Sequence, residues 1–357
     1  AVVGDGISGA RVVSVTNPAA PYILGTFTST NLVFVRSAAV SGSRAAVTDG
    51  RHILLLDLSS PSLPTQLGEY LSDGYVFDLA MNANHVFAAA GGDGLRILSV
   101  PALSPVGLYD TAGMAVAVTL DGTKAHVADG AEGWVLLDVS APAAPALVNA
   151  SAGQGPVDDV AVSAYLATYG GSSALLEAMD ISTPLTPVSK SSLGRVTRIL
   201  RLAASGPYVL TAEDDAGLGL FDAVPDDHDL DRMSDAWEQQ IADANLSDAI
   251  FGPADVLPGD DFDGDGLSNY GEFVAGTDAR DSQSVFAATV PAQPSGASFV
   301  VHWHSVAGRT YTLYRSVDLT QGFSPIATGL GATAPMNSYT DTVSSVTSAY
   351  YMVGVKD

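Results

Sequence analysis

Cysteine is absent from the 357 residues, which excludes disulfides, thiolate metal sites and a cysteine nucleophile and leaves the redox compartment open. Bases are scarce, with 15 Lys and Arg against 39 Asp and Glu and a net charge of -24. A chain of that sign with no basic stretch is repelled by phosphate backbones and anionic lipid, so neither nucleic acid nor a membrane surface is an expected partner. No apolar run approaches the roughly 18 residues that cross a bilayer, and no basic-then-apolar signal region occurs, so no membrane insertion is expected. Catalytic signatures are missing too. There is no nucleophile elbow, no GxGxxG or Walker-type loop between strand and helix, and no HExxH. No catalytic residue is therefore nominated, and a non-enzymatic protein is expected. The first residue is Ala1 rather than Met, which fits a processed, exported protein or a fragment.

What is present begins with composition: 47% hydrophobic residues, 36 Gly and 19 Pro, without a collagen-like period. This describes a globular chain of many short strands joined by tight turns. The strands repeat. ARVVSVTNPAAP (10 to 21), ILLLDLSSPSLP (53 to 64), LRILSVPALSP (95 to 105), WVLLDVSAPAAP (134 to 145), LEAMDISTPLTP (176 to 187) and LGLFDAVPDD (218 to 227) align on Ser14, Asp57, Ser99, Asp138, Asp180 and Asp222. These positions recur with a nearly constant period of roughly 40 residues, at which four short strands form one propeller blade. Recurrence once per repeat gives the aspartates a structural task, the acceptance of turn hydrogen bonds. The first copy starts in its second strand and the sixth stops after its third. The partial ends could pair to close a ring, or leave an edge that accepts a strand from another subunit.

These repeats resemble the LVIVD family, through ILLLDLSSPSLP and WVLLDVSAPAAP above all, with Ser14 and Ser99 departing from the aspartate. The resemblance runs from the start of the chain through the sixth copy. It implies a β-propeller scaffold and no shared chemistry.

Residues 222 to 281 hold 17 of the 39 acids and, as bases, only Arg232 and Arg280. Calcium takes six to eight oxygens, and a 12-residue loop supplies them from positions 1, 3, 5, 7, 9 and 12 with glycine at 6. Asp261, Asp263, Asp265, the Leu267 carbonyl, Asn269 (directly or through a water) and Glu272 fill every position, with Gly266 at the turn. A weaker loop places Asp227, Asp229, Asp231, the Met233 carbonyl, Asp235 and Glu238 in the same register, but Arg232 replaces the glycine. The alternative for the weaker loop is a charged helix N-terminus.

Between the loops, SDAWEQQIADANLSDA reads as one amphipathic helix burying Trp237, Ile241 and Leu246. A short helix with Tyr270, Phe273 and Val274 follows, stopped by Gly276, and Asp278 is read as capping a turn rather than adding a ligand. The segment is similar to the tandem calcium loops of thrombospondin type 3 and dockerin-like repeats, which implies a linker in an exported bacterial protein.

Residues 283 to 357 alternate as strands and are loosely similar to fibronectin type III modules. His302 and His304 share one strand face, read as two solvent-facing histidines rather than metal ligands, with Trp303 turned into the core. His52, His85 and His126 read as surface or satisfied polar residues.

The expectation is a mainly β chain with a β-propeller of about six four-stranded repeats over 1–223, a short helical calcium-binding linker over 224–282 and a β-sandwich over 283–357. The expected function is an extracellular scaffold or adhesion protein with a calcium-stabilised joint between domains, one Ca2+ or two. Its partners would be calcium and a further copy of itself, another surface protein or a glycan, with self-assembly into a surface layer or filament. The alternative is a ligand-binding or hydrolytic propeller with its site in the central channel.

Overall fold

A computed structural model describes residues 1–151, 155–172, 175–194, 197–244, 249–290, 298–318, 320–342 and 349–356. The chain divides into two compact units, Ala1–Pro225 and Asp226–Asp357. The first unit ends slightly beyond the expected boundary, and the acidic segment shares a unit with the C-terminal strands.

The first unit is a series of six antiparallel sheets, here called blades 1 to 6. Blades 2 to 5 have four strands each, and blades 1 and 6 have three. The first strands of successive sheets, Ser37–Ser41, Asp78–Met81, Ala117–Asp121, Asp159–Ser163 and Ile199–Ser205, lie side by side. Period-two alternation then sends each blade's side chains to its two neighbours in turn. In blade 2, Ala45, Val47, Leu54 and Leu56 pack with Ala10 and Val12 of blade 1. Ala46, Ile53 and Leu55 pack instead with Leu79, Val86, Ala88 and Leu98 of blade 3. With both faces buried, the third strands need no polar side, which is why ILLLD and WVLLD are continuous apolar runs.

The recurrent aspartates work as expected. Asp57, Asp138, Asp180 and Asp222 each accept, through Oδ1, the N–H two residues on, from Ser59, Ser140, Ser182 and Val224 at 2.8–3.1 Å. Where serine replaces aspartate the local bond changes, and Ser99 Oγ accepts from Ser104 N at 3.3 Å.

The two partial repeats do not pair. They form separate three-stranded sheets, Val2–Gly4 with Ala10–Ser14 and Tyr22–Phe27, and Ile199–Ser205 with Tyr208–Glu213 and Gly217–Asp222. Blade 1 lacks the innermost strand and blade 6 the outermost, so the two overlap at their middle strands and cannot merge into one sheet. Each leaves apolar side chains uncovered: Val3 and Ile23 on blade 1, and Leu210, Leu218 and Leu220 on blade 6.

His126 departs from its surface reading. It lies on the second strand of blade 4 with no exposed area, and neither ring nitrogen has a partner among the described residues. The ring stacks on Trp134 at 5.6 Å, and Trp134 on Tyr169 at 6.3 Å. Burial pushes the imidazole down to about 4, so it is neutral at pH 7.

In the second unit, the described α-helices are α1, Asp235–Ala242, and α2, Asn269–Ala275, with a 3-10 turn at Pro253–Asp255 between them. The first is shorter than its sequence pattern, and Leu246 lies outside the described residues. Gly276 ends α2 in the left-handed region at φ 74°. Asp278 caps its turn as expected, accepting Arg280 N at 3.1 Å and the Arg280 guanidinium at 2.7 and 2.9 Å. The C-terminal strands form two three-stranded sheets. Ala288–Thr289, Ser298–His304 and Met336–Thr342 make one; Ser324–Gly331, Thr310–Ser316 and Tyr350–Lys356 make the other. Val301 and Trp303 of the first cluster with Tyr311 and Leu313 of the second. Trp303 is buried, His304 exposed and His302 half-buried.

Candidate functional site

Two loops, 227–238 and 261–272, share one hydrogen-bond framework. Asp227 and Asp261 use Oδ2 to accept from the position-six N–H, Arg232 at 3.2 Å and Gly266 at 2.9 Å. Asp231 and Asp265 use Oδ1 to accept from the position-seven N–H, Met233 at 2.9 Å and Leu267 at 2.7 Å. The carbonyls of Asp226 and Asp260 take the N–H of Asp235 and Asn269. Positions four and six are left-handed in both loops: Leu230 at φ 60° and Arg232 at 80°, Gly264 at 77° and Gly266 at 99°.

Arg232 therefore does not reshape the turn. It adopts the glycine conformation at a cost of roughly 1 kcal/mol, and its guanidinium lies 5.4 Å from the centre of the Tyr270 ring, a cation–π contact worth about 0.5–1 kcal/mol. That contact offsets much of the strain and ties the first loop to the helix of the second. Met233, Ile241 and Val256 form the buried centre beneath both loops, with Trp237 and Phe273 edge to face at 5.4 Å.

Each loop gathers its first three aspartates. One carboxylate oxygen from each of Asp227, Asp229 and Asp231 lies within 4.8 Å of the others, and so for Asp261, Asp263 and Asp265. Among the described residues these are the groups of His, Asp or Glu brought close enough to share a cation. Glu238 and Glu272, at position twelve, have no exposed area. Among the described residues, both Glu238 carboxylate oxygens and Oε2 of Glu272 lack a hydrogen-bond partner, while Oε1 of Glu272 accepts from Thr277 at 3.1 Å. Burial, and then the neighbouring aspartates, push Glu238 up to about 8 and Glu272 up to about 7. Asp231 rises to about 6 for the same reasons, burial first.

Asn269 and Asp235 turn inward as loop braces: Asn269 Oδ1 accepts from Phe262 N at 3.2 Å and its Nδ2 donates to Leu257 O at 3.0 Å, while Asp235 Oδ1 accepts from His228 N at 2.9 Å. The amide bridges the start of the loop to the chain before it. Three aspartates, a bidentate-capable glutamate and a carbonyl form an all-oxygen set suited to a hard divalent cation.

A second polar system has no counterpart in the sequence reading. Asp78 and Asp159 open the innermost strands of blades 3 and 5 and stitch neighbouring blades together. Ser37 Oγ donates to Asp78 Oδ1 at 2.7 Å and accepts from Leu79 N, Asp78 Oδ2 accepts from Val118 N at 3.2 Å, and Asp159 Oδ2 accepts from Leu202 N at 2.7 Å. The available signal was an aspartate just before an apolar strand in two repeats, FDLAM and DDVAV.

Sheets stacked side by side around inner strands, one sequence repeat to a sheet, define the first unit as a β-propeller. Residues 112–151, which make up blade 4, match the LVIVD repeat model. Among solved structures, the Cps50 (Swd1) β-propeller domain of Myceliophteria thermophila is similar at 12% identity and a TM-score of 0.51, over 62% of this chain and 79% of that one. The computationally designed Ika8 protein is similar at 12% identity and a TM-score of 0.46, over the same shares of the two chains. No curated protein matches the chain.

Proposed function

We propose that this is a non-enzymatic scaffold or adhesion protein exported to the cell surface, in which two Ca2+ ions stabilise the acidic segment that follows the propeller. The observation that carries the reading is the pair of buried position-twelve glutamates, each with an oxygen unpartnered among the described residues and each near enough to the three aspartates of its own loop to feel their charge. An unpaired buried carboxylate among like charges is costly, and a bound divalent cation removes that cost. Extracellular modules of this chemistry bind at roughly 0.1 to 1 mM, so millimolar calcium outside a cell keeps such sites largely filled. Calorimetric titration with Ca2+ is expected to give two sites, with Glu238→Gln and Glu272→Gln each removing one. Absence of saturable uptake overturns the reading.

The loop pair is read as thrombospondin type 3 or dockerin-like, and the C-terminal sheets as a fibronectin type III-like sandwich. Arg315, which reaches both Asp341 oxygens at 3.0 and 2.8 Å, supports the second, together with Tyr351, whose hydroxyl donates to Asp341 at 2.9 Å. Asp341 lies in one sheet, Arg315 and Tyr351 in the other.

Self-association completes the proposal. The uncovered Leu218 and Leu220 of blade 6 and Val3 of blade 1 are unlike surfaces, and contacts between unlike surfaces on successive copies build open polymers. Light scattering after size exclusion in calcium buffer is expected to give a mass above one chain that rises with concentration. The double variant Leu218→Asp, Leu220→Asp should return it to one chain. A strictly monomeric native protein counts against assembly.

A further inference from the structure

The channel mouth of the propeller carries a chemistry that the repeat does not explain. Arg36, Phe77, Val116 and Asp158 occupy one equivalent position in blades 2 to 5, just before the innermost strand. Each donates its N–H to the end of the second strand of its own blade, at Thr48, Ala89, Ala128 and Gly170, all at 2.8–2.9 Å. The turn position at the end of the third strand keeps its aspartate in four of six repeats, at Asp57, Asp138, Asp180 and Asp222. The position before the innermost strand changes from cation to aromatic to aliphatic to anion. All four converge, with Arg198, Leu200 and Arg201, on one cavity of about 410 Å3.

The charges in that cavity do not cancel. Arg198 is spent on Asp158, with Nε at 3.0 Å and Nη2 at 2.9 Å from the same oxygen. Arg36 and Arg201 have no carboxylate within ion-pair reach among the described residues, although Arg201 is near enough to Asp159 to act on its charge at longer range. The Arg36 guanidinium lies 5.4 Å from the centre of the Tyr75 ring, and Arg201 donates one N–H to the Leu200 carbonyl at 3.3 Å. Both also line the adjoining cavity of about 700 Å3, whose wall includes Asp5 to Ser8 of blade 1. In a chain of net charge -24, two guanidiniums without ion-pair partners beside an apolar wall run against the surrounding field. Planar guanidinium forks match a carboxylate geometrically, and Phe77, Val116 and Leu200 offer an apolar body its contact.

We propose that the channel mouth binds a small carboxylate with an apolar body, its carboxylate held by Arg36 and Arg201 and its body by Phe77, Val116 and Leu200. The site is independent of the calcium loops and gives the ligand-binding alternative for the propeller its residues and its ligand class. It needs no chemistry beyond recognition.

Benzoate is the probe, titrated into the full chain in calcium buffer by calorimetry, with benzyl alcohol and inorganic phosphate as comparators. The expected result is saturable benzoate binding that is at least tenfold tighter than either comparator. Arg36→Ala and Arg201→Ala should each weaken it tenfold or more. Val116→Asp, which adds an anion to the mouth, should abolish it with unchanged circular dichroism. Lys190→Ala, on an outermost strand, should leave it unchanged. Absence of saturable binding overturns the proposal, as does benzoate affinity that survives the loss of both arginines. Phosphate binding as tight as benzoate also overturns it, because the apolar wall would then contribute nothing.

Discussion

Chelation of calcium is expected to lower the melting temperature of the second unit by about 15–25 °C relative to about 10 mM calcium, leaving the propeller transition in place. The size follows from mass action. A loop with a dissociation constant near 0.1 mM gains about 2.7 kcal/mol at a hundredfold excess of ion, and two loops gain about 5 kcal/mol. For a unit of this size each kcal/mol moves the midpoint by roughly 3–5 °C. Differential scanning calorimetry resolves the two units if they melt separately. Glu272→Gln sharpens the test, because it acts in opposite directions on the two states. Without calcium it removes a buried negative charge that faces Asp261, Asp263 and Asp265, so the variant should be as stable as the parent or more so. With calcium it loses the second loop's gain, about half the shift. Unchanged melting in chelator removes the structural role of the ion. A Glu272→Gln protein that calcium still stabilises fully would show that the glutamate is no ligand.

The loops are legible in the sequence because their chemistry is local. Positions one to twelve are set by sequence spacing, and Gly266 announces the left-handed turn that Arg232 adopts at its own position. Leu230 at φ 60° gives no such notice, since nothing in the side chain marks a left-handed residue that is not glycine. At Asn269 a ligand and a brace use the same amide, and only the surrounding backbone shows which N–H and C=O groups the side chain meets. The propeller is legible for another reason: its turn aspartates recur at nearly fixed spacing, and ILLLD has no polar face. The links between blades are not. Asp78 and Asp159 have Ser37 and Ala117 at the equivalent points of blades 2 and 4, so no repeat pattern exposes them. The channel mouth is hidden more deeply, since Arg36 opens blade 2 and Arg201 belongs to blade 6, and the two meet only when the blades turn about a common axis.

Acid should destabilise the propeller through His126, and the size of the loss follows from the two protonation states. The unfolded imidazole titrates near 6.5, while burial holds the folded one at about 4. Between those values the unfolded chain binds the proton and the folded chain does not. The stabilising contribution is therefore complete above about pH 6.5 and lost as pH falls towards 4, amounting to about 3 kcal/mol over that interval. Asp159 opposes it. Burial raises its carboxyl to about 6, against the ordinary 3.8, despite the hydrogen bond from Leu202. Here the folded state binds the proton first, so stability rises as pH falls from about 6 to 3.8, by a similar amount. Between pH 6 and 4 these two slopes largely cancel, so the His126 contribution is read from a variant and not from the parent profile. His126→Phe keeps an aromatic ring against Trp134 and removes the proton. Urea unfolding at a series of pH values should then show the variant gaining stability relative to the parent by about 3 kcal/mol from pH 7 to pH 4. A difference between the two that does not change with pH would mean that the imidazole is protonated, or solvated, inside blade 4.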